Sequence, residues 1–251
     1  MRARDRQRGG RSRRPGALAP VLACAALLVV WPTAAAAQVG HRPESSPYRD
    51  VRAKWLLSAT GGYSWGSGGQ LGVGPHDGPL LGARVDWLVG GPGMLGISAT
   101  YANLQRNLIN PEAPPDERFL GTAQNGVLML EASIGLVLTG TKTWKGFAPY
   151  LGGTLGLAFG GNVPEDSLSG FEFNTKFTAG FIVGTRWHLG SRIALRFEFR
   201  DVFWQLKYPE SFFLPTADDG PPLLNPLTQG DTEWTANPQL VVSVGYAIRM
   251  K

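Results

Sequence analysis

From residue 54 to residue 249 the chain repeats one arrangement eight times: a run whose alternate residues are apolar, followed by turn-formers. Residues 193–203, IALRFEFRDVF, show it most strongly, with Ile193, Leu195, Phe197 and Phe199 alternating with Ala194, Arg196, Glu198 and Arg200. A strand sends successive side chains to opposite faces, so each run reads as a strand with one apolar and one polar face. The eight runs fall at about 54–65, 80–89, 94–103, 127–139, 147–159, 173–187, 193–203 and 239–249. Their connections alternate in length. Those at 90–93, 140–146 and 188–192 are short, and those at 66–79, 104–126, 160–172 and 204–238 are long. Short turns at one end and long loops at the other are the arrangement of a transmembrane barrel, and a soluble meander has no reason to keep that order.

The composition of the polar face sharpens this. It is mostly Gly, Ser and Thr, with a few charges of both signs, where the wet face of a soluble sheet is usually rich in Lys and Glu. Small residues fit the interior of an eight-stranded wall, which leaves room only for side chains. Arg84, Asp86, Glu131, Lys176, Arg186, Arg196, Glu198 and Arg200 are then expected to form a lumen charge network. Buried charges must be paired, and Asp86 and Glu131 are the candidate partners for Arg196 and Arg200. The apolar face is expected to be continuous and free of charge. A ten-residue strand rises roughly 33 Å, and tilting it near 40° gives about 25 Å, the height of an outer-membrane apolar band.

Aromatic residues mark two levels. Trp55, Trp87, Phe147, Trp187 and Tyr246 fall near the short-turn ends of their strands, and Tyr63, Tyr101, Phe159, Phe177 and Phe203 near the long-loop ends. Two girdles at opposite levels are the expected placement of interfacial aromatics. The competing architecture is a soluble lipocalin-type barrel with its apolar face inward. It would have to pack several Trp and many Phe into a narrow interior.

The N-terminus separates from this pattern. Residues 1–14 hold seven arginines, and an apolar stretch ending in small residues follows, which describes a secretory signal peptide cleaved after Ala37. Removing residues 1–37 leaves 17 basic and 18 acidic residues, so the formal charge of +5 belongs to the leader and no nucleic-acid partner is indicated. Ser12-Arg13-Arg14 lacks the apolar follow-up of a twin-arginine signal, and Cys24 lies inside the apolar run rather than after it, unlike a lipidated cysteine. Cys24 is the one cysteine, so the mature chain has no disulfide or thiol nucleophile. The expected organisation is a signal peptide at 1–37, a periplasmic tail at 38–53 and a barrel at 54–251.

Several motifs resemble the small outer-membrane β-barrel proteins of the OmpA/OmpX-like class. Pro149-Tyr150-Leu151-Gly152-Gly153-Thr154-Leu155-Gly156 resembles their P-Y-x-G-x-G-x-G run, and Leu195 to Asp201 resembles their R-x-E-x-R-D strand. Ser243 to Arg249 resembles the C-terminal signal read by the barrel-assembly machinery, although this chain finishes in Met250-Lys251 rather than an aromatic. The resemblance covers about 50–251. It implies an all-β, eight-stranded antiparallel up-and-down transmembrane barrel in a bacterial outer membrane, without an appended peptidoglycan-binding domain. Its implied partners are outer-membrane lipid, lipopolysaccharide and, during insertion, the assembly machinery.

Chemistry is sparse. Of the three histidines, His41 lies in the tail, His188 in a short turn and His76, beside Asp77, in a Gly-rich outer loop. Ser64 and Ser67 could approach His76 by topology, but no motif marks a Ser–His–acid set. Glu165-Asp166 and Asp218-Asp219-Gly220 are acidic loop pairs that read as solvated turns rather than metal ligands. No cofactor and no enzymatic activity are expected. The long segment 207–234 carries Phe212, Phe213, Leu214, Leu223 and Leu224 and is expected to lie as a lid over the barrel mouth, since exposed Phe pairs are costly in water. The expected role is structural or surface-interacting. A narrow pore, a small apolar ligand site and a lipid-modifying enzyme are the alternatives.

Overall fold

A computed structural model describes residues 46–51, 53–215 and 220–248. The leader therefore lies outside the described residues, as do Asp218, Asp219 and Arg249 to Lys251. Ten strands occur in chain order: β1 Tyr48–Asp50, β2 Trp55–Ser64, β3 Gly78–Gly90, β4 Gly93–Ile109, β5 Phe119–Val137, β6 Lys142–Trp144, β7 Phe147–Gly160, β8 Thr175–His188, β9 Ile193–Lys207 and β10 Thr232–Ile248. Eight of them, β2–β5 and β7–β10, form an antiparallel ring. The ring closes where β10 pairs with β2, from Gln239 opposite Ser64 to Ile248 opposite Trp55. Closure leaves no open sheet edge in the wall.

Alternation sets which face is which. Leu81, Ile97 and Ile134 are 70%, 71% and 67% exposed on the outside, while Leu80, Ser98 and Ser133 on the adjacent positions are buried inside. Glycine makes room inside, as at Gly96 and Gly184. A Cβ on Gly96 would stand 2.6 Å from Ser133 Oγ and 2.8 Å from Asp86 Oδ1. One on Gly184 would stand 2.7 Å from the Tyr150 hydroxyl. Both glycines thus give up their side chains to larger groups that reach across the lumen.

The strands overrun the sequence-based boundaries at the long-loop end. β4 has 17 residues and β5 has 19, whereas about 9–11 suffice to cross a bilayer. The connection expected at 104–126 shrinks to 110–118, and the one expected at 204–238 shrinks to 208–231. Beyond the apolar band the outer face meets water, so polar residues turn outward and apolar ones inward. In β9 the outward series ends Phe203, Gln205, Lys207, while Val202, Trp204 and Leu206 are fully buried. The alternation continues with its polarity reversed, and for that reason it reads as a loop.

Two further features concern the short-turn end and the apolar face. Within the stretch read as a tail, β1 pairs with β6, Tyr48 opposite Trp144 to Asp50 opposite Lys142. Val51 N donates to Thr141 O at 2.9 Å, which extends that pairing. β6 lies beside β7, and β7 stands four strands from β2 in either direction round the ring. Val51, Ala53 and Lys54 therefore carry the chain across the barrel mouth as a strap. Among the described residues the apolar face also holds one carboxylate. Asp201 has the outward parity of Phe199 and Phe203, opposite Pro238 on β10 and Phe181 on β8. It is tolerated because it stands close to the outer aromatic level, where Leu240 pairs with Tyr63.

Candidate functional site

The interior is built in layers. Seven of the expected network residues, Arg84, Asp86, Glu131, Arg186, Arg196, Glu198 and Arg200, point inward and are at most 3% exposed. They come from β3, β5, β8 and β9. Asp86 takes Arg84 at 2.8 Å through one oxygen and Arg196 through the other. Glu198 lies 3.7 Å from Arg84 and 3.9 Å from Arg196, and accepts a 2.6 Å hydrogen bond from the Tyr150 hydroxyl. Arg84 also donates to Ser133 Oγ at 2.8 Å. Higher in the barrel, Arg200 pairs with Glu131 at 2.9 Å and donates to Gln239 Oε1 at 2.6 Å.

Arg186 and Lys176 stand apart from these pairs. Arg186 makes no carboxylate contact among the described residues. Its guanidinium touches Met94 Sδ and lies 5.2 Å from the centre of the Tyr150 ring. Lys176 is not brought into the network. β8 begins only at Thr175, so Lys176 sits at the outer rim, half-buried, beside Glu172, Asn174 and Lys207.

Above the charges the interior turns apolar. Leu104, Val127, Met129, Val202, Trp204 and Leu206 project inward from the strands and pack with Phe171, Phe173, Phe212 and Leu224 from the loops. Phe173 meets Trp204 edge-on, ring centres 5.4 Å apart, and Tyr208 lies 6.1 Å from Phe212. The segment 208–231 thus inserts Phe212 and Leu224 into the barrel's upper core, with Leu223 and Phe213 partly buried against it. Leu214 and Leu227 remain exposed.

Polar ties hold this crown. Arg106, buried on β4, pairs with Asp166, donates to Phe171 O at 3.3 Å, and lies 4.8 Å from the centre of the Phe171 ring. Asp166 also accepts from Ser169 N at 3.1 Å. Asp166 is therefore not the solvated turn residue expected: its side chain is buried against the Arg106 guanidinium. Tyr208 donates its hydroxyl to Glu233 and accepts from Gln70 N at 3.1 Å, which ties the 208–231 segment to β10 and to the loop after β2. Burial, then the Glu233 carboxylate, pushes the Tyr208 hydroxyl well above its ordinary pKa. Arg106 escaped the sequence reading, but the inward parity of Thr100 and Ala102 continues through Leu104 to it, so the signal was present.

The remaining sequence candidates separate as follows. His76 Nδ1 lies 3.0 Å from Gly74 O in its own loop, and Asp77 Oδ1 accepts from Gly66 N at 3.2 Å. Among the described residues no three His, Cys, Asp or Glu side chains converge as a metal site. The aromatics named from the sequence lie toward the two ends of the wall. Trp55 stacks on Trp87 across β2 and β3 at 5.6 Å, and Phe147 on Trp187 across β7 and β8 at 5.4 Å, with Tyr246 exposed on β10 at the same end. At the other end Tyr63, Tyr101 and Phe177 are exposed, Phe159 is half-buried, and Phe203 lies 6.2 Å from Phe181. Trp65 and Trp234 join this outer level, both exposed and neither singled out by the sequence.

An eight-stranded ring, an apolar outer band between two aromatic levels and a charge-bearing interior define an integral outer-membrane β-barrel. No protein-family model and no curated protein matches the chain. Among solved structures, Neisserial surface protein A is similar over 78% of this chain and 98% of its own, at 12% identity and a TM-score of 0.50. The outer-membrane protein OprG of Pseudomonas aeruginosa matches 79% of this chain and 98% of its own at 11% identity and a TM-score of 0.44. The N-terminal barrel domain of Pseudomonas aeruginosa OprF matches 77% and 98% at 10% identity and 0.41. The likeness to the Neisserial protein shows the fold: this chain has the architecture of the small eight-stranded outer-membrane barrels. Its place is the bacterial outer membrane.

Proposed function

We propose that the protein is a non-enzymatic outer-membrane barrel whose closed lumen serves as a rigid anchor for a folded loop crown, with a structural or surface-interaction role. The observation that carries this reading is the filling of the interior. A periplasmic strap, a layer of paired charges and an apolar plug follow one another along the axis, and Phe212 and Leu224 close the plug from above. A conduit for solutes needs a wetted path, and Trp204, Leu206 and Phe212, each fully buried, stand where that path would run. The engagement of His76 within its own loop supports a surface role over lipid modification.

Single-channel recording in planar bilayers tests the reading. The wild-type protein is expected to give a flat baseline, and discrete current steps would replace the anchor reading with that of a narrow pore. A parallel measurement of lipid A composition with His76→Ala is expected to show no change; an altered profile would favour the enzyme.

A further inference from the structure

The periplasmic mouth encloses a cavity of about 450 Å³ between the strap and the lumen charges. Val51, Ala53 and Lys54 form its strap side, Leu88 and Val137 part of its wall, and Arg186 and His188 project from β8. No carboxylate lines it among the described residues, and the Lys54 ammonium and the His188 imidazole accompany the guanidinium.

The charge balance just inside this mouth is uneven. Three guanidiniums, Arg84, Arg186 and Arg196, share two carboxylates, Asp86 and Glu198. Asp86 and Glu198 are both engaged by Arg84 and Arg196, and Tyr150 takes a further position on Glu198. Arg186 is left with a thioether and an aromatic face, it is 2% exposed, and its Nε has no acceptor. A buried charge without a direct partner is strongly unfavourable, and among the described residues only the Asp86 carboxylate attracts this one, through space, with both its oxygens already held by Arg84 and Arg196. A guanidinium fork matches carboxylate and phosphate oxygens in pairs, so the group that completes it is an oxyanion. The barrel wall separates Arg186 from lipid, which points to a soluble periplasmic species rather than a headgroup. The cavity lies within the size range of small-molecule sites and exceeds what a bare halide needs.

We propose that the periplasmic mouth is a binding site for a small carboxylate- or phosphate-bearing anion, held by Arg186 with Lys54 and His188 at its edge. The bound anion supplies the negative charge the lower lumen lacks, and the strap covers it from the periplasm.

The test uses the full mature chain in a maltoside detergent, with inorganic phosphate and acetate as probes, followed by calorimetric titration and thermal unfolding. Saturable binding of at least one probe to the wild type is expected, weakened at least tenfold in Arg186→Gln, together with a rise in Tm that the variant does not show. Arg186→Met removes the unpaired charge while keeping bulk. Without a probe it is expected to melt at or above the wild-type temperature and to show no response to phosphate. Lys54→Gln changes only an exposed rim residue and is expected to weaken binding several-fold, which keeps the test open if the Arg186 variants fail to fold. Failure of both probes to bind the wild type, binding by Arg186→Met at wild-type affinity, or unchanged affinity in Lys54→Gln would each overturn the proposal. Bilayer conductance is a separate readout, so a pore without an anion site and an anion site without a pore are distinguishable.

Discussion

The pairing of Arg200 with Glu131 decides how dry the barrel interior is. Both side chains are almost wholly buried, and their nearest atoms are 2.9 Å apart. At an effective dielectric near 20 that separation corresponds to about 6 kcal/mol of attraction, an upper figure before desolvation is set against it. Glu131→Leu leaves Arg200 with the Gln239 bond alone, at 2.6 Å, and a buried cation stripped of its partner loses about 3–5 kcal/mol. Urea unfolding in lipid vesicles, followed by the fluorescence of the barrel's tryptophans, reads this directly. With a slope of about 2 kcal/mol per molar the midpoint falls by about 1.5–2.5 M. Adding Arg200→Met removes the orphaned charge, so the double variant is expected to recover most of the loss, or to exceed the wild type. The reasoning fails if Glu131→Leu unfolds within about 0.5 kcal/mol of the wild type, the range of ordinary surface changes. Such a result would mean that water solvates Arg200 and that the layer is not a plug.

Three other perturbations address the crown and the lipid face. Phe212→Ala empties a fully buried site in the upper core and is expected to cost about 3–5 kcal/mol, with faster proteolysis within 208–231 while the transmembrane wall stays folded. Asp201→Leu removes the one carboxylate found on the apolar face among the described strands. Because it lies near the outer interface, stability in vesicles is expected to rise by no more than about 1 kcal/mol. For Tyr208 the folded-state pKa is raised above the usual 10.0, so its contribution is present below pH 10.0 and is lost as pH climbs through the folded value. Wild-type stability should fall more steeply above that pH than that of Tyr208→Phe, measured by denaturant unfolding across pH 8–11.

Much of the wall was legible because two neighbouring media wrote it. Wherever lipid lies outside and a narrow polar lumen inside, one parity must be apolar and the other small or charged, and residues 193–200 record this residue by residue. The aromatic pairs Trp55 with Trp87 and Phe147 with Trp187 meet because register sets them opposite each other at the short-turn ends of neighbouring strands. The strap could not be read, because its hydrogen bonds run from β1 to β6 and are main-chain bonds that any side chains would allow. Arg186 was read as one network member among several. Nothing in the sequence says which guanidinium will find its carboxylates taken, since that depends on register: Arg196 and Arg186 stand opposite each other across β8 and β9.

The crown was misjudged for a reason that can be turned into a rule. Asn103 and Gln105 on β4, Gln124 and Thr122 on β5, and Gln205 and Lys207 on β9 carry polar groups on the parity that is apolar a few residues further down the wall. The interior reverses at nearly the same level, from Thr100 to Ala102 and Leu104, and from Arg200 to Val202 and Trp204. On paired strands the reversal coincides: Tyr101 faces Leu128 below it, and Asn103 faces Gly126 above it. A loop would lose alternation, whereas these strands keep it and exchange its sign. The exchange marks the height at which water replaces lipid outside, and at which the wall must bury its apolar side chains inward instead. Above that height the protein follows the logic of a soluble barrel with an apolar core. The two competing architectures of the opening reading are thus stacked in one wall, with the membrane surface as the plane between them.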